Sequence, residues 1–313
     1  MLPDVILRMQ ELADQLSLAR KEGGAFLLPS RLVVRVSGAD AFRYLNGQVT
    51  RDLGRLRDDD VVSACLLTPR GKLCAVLLIH REGEDFLLEA DPSLEESLPA
   101  RLERYIVADD VTLSLEKARP AVHLFGRVST DWVRQDAGEN NDSKPPKVLQ
   151  VMRLGVSGID VELAGIGSRE RPPLLDPLVV EALRLEHGIP SAGSELAGEI
   201  LPPEALLDRT HIDYDRACYP GQEVISRLKS IGRVNRLLHL LTAPAGSALR
   251  AGMHVASGEG KDVGVLTSVA EQFDTGATLA LAFLPRESSG PLFALDPLTG
   301  ARTQLTITSI TGS

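Results

Sequence analysis

Arg216-Ala217-Cys218-Tyr219-Pro220-Gly221-Gln222-Glu223, with Arg227, Gly232, Arg233 and Arg236 soon after it, gathers a thiol, a tight turn, an amide, a carboxylate and several guanidinium groups. Within the octet only Cys218 and Tyr219 could fill a core, so packing alone does not require the mixture. Thiol reactivity follows thiolate character, which nearby cations or a helix N-terminus promote. Pro220 suits the first turn of a helix, where its missing N–H costs nothing. Residues 223–228 read as helical, which predicts Cys218 just ahead of a positive dipole end. The competing reading is a cysteine that packs as a small hydrophobe.

The rest of the chain bounds what this stretch can belong to. Its 313 residues suggest two or three domains. With 43% hydrophobic and 25% charged residues it reads as a soluble globular protein, and the 4% aromatic content makes the core aliphatic. A formal net charge of −9 argues against direct grip on nucleic acid, which needs a basic face, and leaves room for a local basic patch around Arg227, Lys229, Arg233 and Arg236. Three cysteines without a CxxC pattern exclude a disulfide framework and a self-contained metal cage, so no metal site is expected. Cys65 and Cys74 lie in apolar runs and read as core. Acidic residues in the N-terminal segment argue against a leader peptide, and no run approaches a membrane span. The cytoplasm, a reducing compartment, is the expected location.

Apolar residues at Val5, Ile6, Met9, Leu12 and Leu16 have helical spacing. A strand is expected at 32–36 and a helix at 40–46, closed by Gly47. Residues 61–67, 73–80 and 86–89 form a meander with turns at 68–71 and Gly83. Asp91-Pro92 starts a helix through Leu94, Leu98, Leu102 and Tyr105, and Asp176-Pro177 starts another, ended by Gly188. Further strands fall at 111–115, 122–125, 148–153 and 159–163. Residues 135–147, polar and carrying two prolines, read as an exposed, mobile loop. From about residue 234, short apolar runs at 237–241, 253–256, 263–269, 278–283, 292–295 and 304–308 alternate with Gly- or Pro-containing turns, the texture of a small barrel or sandwich.

Three stretches, taken in order, resemble one family. Residues 42–52 (FRYLNGQVTRD) look like an FLxGQxTND segment. Arg184-Leu185-Glu186-His187-Gly188-Ile189-Pro190, with Gly193, Glu195 and Pro202-Pro203-Glu204, looks like an R-x-x-x-G-x-P…P-x-E region. The octet around Cys218 looks like a K-G-C-Y-x-G-Q-E signature. Together they resemble the YgfZ-type folate-binding proteins, relatives of the glycine-cleavage T-protein (aminomethyltransferase), over roughly residues 30 to 300.

The resemblance implies an α+β chain of three subdomains in a ring around a central folate-binding opening, with a C-terminal all-β barrel. The expected division is 1–52 with 116–185, then 53–115 with 186–232, then 233–313 as the barrel. It implies tetrahydrofolate or a derivative as cofactor. The implied role is assembly or repair of iron–sulfur clusters in client enzymes, with an indirect effect on tRNA modification and with client or assembly proteins as partners. Cys218 is the candidate reactive or ligating thiol. Glu186 stands at the position of the T-protein's folate-contacting glutamate, where a carboxylate accepts the adjacent pterin N–H and amino donors. Arg227, Arg233 and Arg236 could hold the carboxylates of the folate tail, and Gln48 and Gln222 could hydrogen-bond the pterin edge or a partner. The alternatives are a surface glutamate, a solvated charged face and turn-stabilising glutamines.

Two departures narrow the reading. The T-protein turn resembling residues 68–76 ends in Asp-Asp, the first of them catalytic, whereas this chain has Ala75 and Val76. That argues against the second reading, a tetrahydrofolate-dependent aminomethyl or methyl transferase acting on a small amine, although turnover of some substrate stays open. The signature's Lys-Gly is Arg216-Ala217 here, which keeps the positive charge but not a neutral amine.

Overall fold

The computed structural model describes residues 2–57, 60–136, 148–165, 172–308 and 310. The chain opens with α1 (Leu2–Glu22), β1 (Gly23–Leu27), β2 (Leu32–Ser37) and α2 (Ala41–Asn46). The meander follows as β3 (Val61–Leu67), β4 (Leu73–Glu82) and β5 (Asp85–Ala90). Next come α3 (Ser97–Glu103), β6 (Thr112–Glu116), β7 (Ala121–Gly126), α4 (Arg127–Asp136), β8 (Val148–Met152) and β9 (Ser157–Glu162). Helices α5 (Pro177–Glu186) and α6 (Gln222–Ser230) lead into β10 (Arg236–Ala243), β11 (His254–Ser257), β12 (Asp262–Glu271), β13 (Thr278–Pro285), β14 (Leu292–Leu295) and β15 (Arg302–Thr308). None of the described helices is long and apolar enough to cross a membrane.

The strands form a sheet of order β1-β7-β9-β8, a sheet of order β3-β4-β5-β2-β6, and a closed barrel β10-β13-β12-β11-β14-β15. The barrel expected from residue 234 onward is therefore present, and every apolar run assigned to it is a strand. Its interior is aliphatic, with Leu241, Val255, Leu266, Ala280, Leu284 and Leu292 buried. Closure leaves no open strand edge in this unit.

The expected boundary at residue 52 needs correction. Strand β2 is hydrogen-bonded to β5 through Leu32–Ala90 and to β6 through Val36–Leu113, deep in the second sheet. Val34, Val36, Leu45, Leu77 and Leu88 share one core there, so residues 32–46 pack with the meander that follows them. Residues 200–225 pack on the same sheet: Ile200, Leu207, Tyr219 and Ile225 cluster with Cys65 and Leu67.

Helices α1 and α5 share a core with Phe26 and Phe125 of the first sheet. Leu12, Leu16 and Ala19 of α1 bury against Val179, Ala182 and Leu183 of α5. Val5 and Ile6, on the expected apolar stripe, are each 62% exposed, because only the second half of α1 meets α5. Helix α5 starts as its sequence dictates: Asp176 accepts from Leu178 N at 2.9 Å, Pro177 takes the first position, and Gly188 ends it with φ 62°. The Asp91-Pro92 start gives a single tight turn before α3. The loop expected at 135–147 begins inside α4, and residues 137–147 lie outside the described residues.

Between the two sheets, Asp60 and Gln150 form a parallel bridge. Beside it, Arg153 donates to Asp160 of β9 at 2.9 Å and to Glu89 of β5 at 3.2 Å. Burial opposes the charge on Asp160. Hydrogen bonds from His123 and Arg153 outweigh it and hold the carboxyl below its usual range. Removing one partner of such a buried pair costs about 3–5 kcal/mol, so this clamp fixes one sheet against the other.

Candidate functional site

The octet lies against the β3–β4 turn because two glycines touch. Gly221, the residue before α6, has φ 86°, and a Cβ there would stand 2.6 Å from Thr68 O and 2.9 Å from Gly71 Cα. Gly71 itself has φ 75°. The left-handed turn at Gly221 reverses the chain, so α6 begins at Gln222 and Pro220 lies ahead of the helix rather than in its first turn. Tyr219 turns inward and is buried, and that burial pushes its hydroxyl up to about 12. Cys218 faces outward and is exposed, in contrast to Cys65, which is buried and whose thiol is pushed up by that burial. Cys74 is half-buried, and desolvation raises it as well.

Arg216 holds the octet to the Gln48 segment. Its guanidinium donates to Val49 O at 2.8 Å and also to the carbonyls of Arg51 and Asn46. Burial lowers its pKa, against the attraction of Asp52 and the groups around it. Gln222 donates its amide to Arg216 O at 3.4 Å, and Gln48 accepts from Arg101 at 3.2 Å. Arg101 also donates to Leu67 O at 2.8 Å and lies 4.0 Å from the centre of the Tyr105 ring. Cys218, Gln48 and Gln222 thus share one end of the second sheet. Both glutamines are engaged in local structure there. Arg227 and Arg233 are exposed on and just after α6, while Arg236 is tied to Glu204 at 3.1 Å.

Glu186 is placed elsewhere. It ends α5 and opens on a cleft of about 1290 Å³ between the first sheet, α1, α5 and the barrel. Arg20 donates to it through Nε at 3.1 Å and through Nη2, and Gln272 donates at 3.1 Å. Hydrogen bonding to Glu186, followed by that to Asp274, raises the Arg20 pKa against its desolvation. Phe125, Leu154, Leu183 and Leu279 supply apolar wall, and Lys21 and Arg127 stand among the lining cations. Cys218 does not line this cleft. A second chamber of about 350 Å³ lies beside it, lined by Val76, Arg153 and Leu206, and His187 lines both. Leu206 has φ 60°, the left-handed region rare for a branched side chain.

The remaining family-like residues read structurally. Arg184 and Glu195 meet at 3.2 Å, and the buried Glu195 also accepts from Ser191 N at 2.9 Å and Ser268 Oγ at 2.6 Å. This ties the end of α5 to β12. Ala75 is buried on β4 opposite Leu66, a methyl group at the position where the resemblance expects a carboxylate. Sequence reasoning missed Arg20, Arg101, Arg153 and His187. Of these, only the Arg153–Asp160 spacing across a strand turn carried a signal.

No family profile matches the chain. Two curated relatives are both titled tRNA-modifying protein YgfZ. The one from Aliivibrio fischeri (strain MJ11) is 25% identical over 265 residues, 82% of this chain and 83% of the relative. The one from Escherichia coli O157:H7 (strain EC4115 / EHEC) is 29% identical over 236 residues, 69% of this chain and 71% of the relative. Among solved structures, the glycine cleavage system aminomethyltransferase T from Bartonella henselae superposes with a TM-score of 0.77 at 18% identity. That match covers 96% of this chain and 89% of that one. At that identity it shows a shared fold.

Proposed function

We propose that this chain, a relative of the YgfZ proteins built on the aminomethyltransferase T fold, is a folate-binding accessory protein of the cytoplasm. It serves assembly or repair of iron–sulfur clusters in client enzymes and affects tRNA modification through them. The observation that carries this reading is the exposed Cys218, presented beside the Arg216 clamp on a rigid sheet end. A thiolate is a soft ligand suited to iron or to a sulfur-transfer step. A single thiol cannot hold a cluster alone, so the client or an assembly partner supplies the other ligands. Buried Ala75 speaks against aminomethyl transfer, which would need a carboxylate there.

For the folate, Glu186 and its cleft have the fitting chemistry. A tetrahydrofolate supplies a reduced one-carbon-carrying pterin when bound. The apolar walls suit its ring system, and a few placed polar groups orient it. Glu186 is already paired on both oxygens with Arg20, and a carboxylate has about four acceptor sites in all. Asp274 gives Arg20 a second partner, so the guanidinium can shift and leave Glu186 to accept the pterin N–H and amino donors. Lys21 and Arg127 offer charge for the tail carboxylates. This replaces Arg227 and Arg233, which line neither chamber.

Calorimetric titration with tetrahydrofolate tests the ligand half. Binding is expected for the native protein, with at least about a tenfold loss in Glu186→Ala. Absence of heat with the native protein would remove folate from the proposal.

A further inference from the structure

The geometry points to His187 as a specificity-determining residue, one whose Nε2 accepts a hydrogen bond that only a reduced pterin ring can donate. This rests on the folate reading above and deepens it.

His187 follows Glu186 directly and caps the C-terminal end of α5. Its Nδ1 lies 2.8 Å from Leu183 O. A carbonyl oxygen only accepts, so Nδ1 carries the hydrogen and Nε2 of the neutral ring presents a lone pair. Nε2 has no hydrogen-bond partner among the described residues. The side chain is packed from the wall of the smaller chamber as well: a Cβ on Gly155 would stand 3.2 Å from His187 Cβ and 3.6 Å from Cγ. Gly155, at φ 71°, leaves the room the imidazole occupies. His187 therefore stands between the two chambers with a fixed tautomer and one acceptor nitrogen available to a ligand.

That acceptor has a chemical consequence. A fully oxidised pterin presents bare ring nitrogens in its pyrazine half, each an acceptor. A tetrahydropterin carries N–H groups at the same positions. With Glu186 accepting from the pyrimidine half, an acceptor one residue along the chain pairs with a reduced ring. Against an oxidised ring it leaves two lone pairs facing each other. A site built around one polar partner rejects the analogue that cannot supply it, because its own group is left unpaired.

The test compares tetrahydrofolate and folic acid by anaerobic calorimetry on the native protein, His187→Ala, His187→Gln and Glu186→Ala. The native protein is expected to bind tetrahydrofolate about tenfold or more tighter than folic acid. His187→Ala should lose that preference by weakening tetrahydrofolate alone. His187→Gln, whose side-chain carbonyl can accept, should keep part of it and guards against a variant that fails to fold. Glu186→Ala should weaken both folates alike. A preference retained in His187→Ala, or no preference in the native protein, overturns the role of His187 and leaves folate binding standing. Binding of neither folate to the native protein overturns the folate reading and the role of His187 with it.

Discussion

Arg216 donates to Val49 O at 2.8 Å, and this contact fastens the Cys218 octet to the segment that carries Gln48. The same guanidinium also reaches the carbonyls of Asn46 and Arg51, so one planar fork serves three acceptors on that segment while its Nε donates to Ala217 O at 3.0 Å. A lysine ammonium is a point charge on a flexible stem and cannot reproduce that spread. Arg216→Lys should therefore fold but lose about 1 kcal/mol for each carbonyl left unmet. Thermal unfolding checks it, and an unchanged melting temperature would show that the fork is dispensable.

Cys218→Ser should leave thermal stability and folate affinity unchanged, since the thiol is exposed and lines neither chamber. In cells lacking the native protein it should fail to restore iron–sulfur enzyme activity. Full rescue by the serine variant would remove the role given to the thiol.

Gly221→Ala attacks the seat of the octet. The new methyl would meet Thr68 O at 2.6 Å from a backbone at φ 86°. Strain of this kind costs about 1–3 kcal/mol, and a drop of several degrees in melting temperature is expected. The same substitution at Gly83, where no atom lies within 4 Å of the added Cβ, serves as the control for left-handed strain without a clash.

Acid should weaken the fold before any carboxylate titrates normally. Burial, helped by Arg51, pushes His211 down to about 4. In the unfolded chain it titrates near about 6.5. Between those values the unfolded state binds the proton and the folded state does not, so stability falls as pH drops through that window. His123, lowered chiefly by burial, acts in the same direction, and Asp160 adds its loss at lower pH. Melting temperatures measured at about pH 7 and about pH 5 should differ, and His211→Asn should narrow the gap. Equal values for the native protein would contradict the burial of His211.

The barrel, the meander and helix α5 could be read from the sequence because each is specified locally, by alternation, turn glycines or the Asp176-Pro177 cap. Strand β1 could not. Its residues, GGAFL, are short and glycine-rich, and they become a strand only by pairing with β7, Phe26 against His123. Helix α4 was missed for a similar reason, since Trp132 gains its meaning from the sheet it covers. In the site, the outward Cys218 was suggested by its polar neighbours. The partner of Glu186 was not, because Arg20 lies 166 residues away in sequence and is brought near by packing of α1 on α5. The octet and Glu186, successive motifs in the family resemblance, do not meet: Cys218 does not line the cleft that Glu186 opens on.

The placement of β1 also bears on how the polypeptide emerges from the ribosome. The entire second sheet, residues 32–116, is translated between β1 and its partner β7. That inner sheet can close as a unit while β1 waits with its backbone groups unsatisfied, since domains fold vectorially as they appear. Nascent chains halted before β7 should hold a formed meander and an unprotected N-terminal strand, the period in which a chaperone would find most to grip.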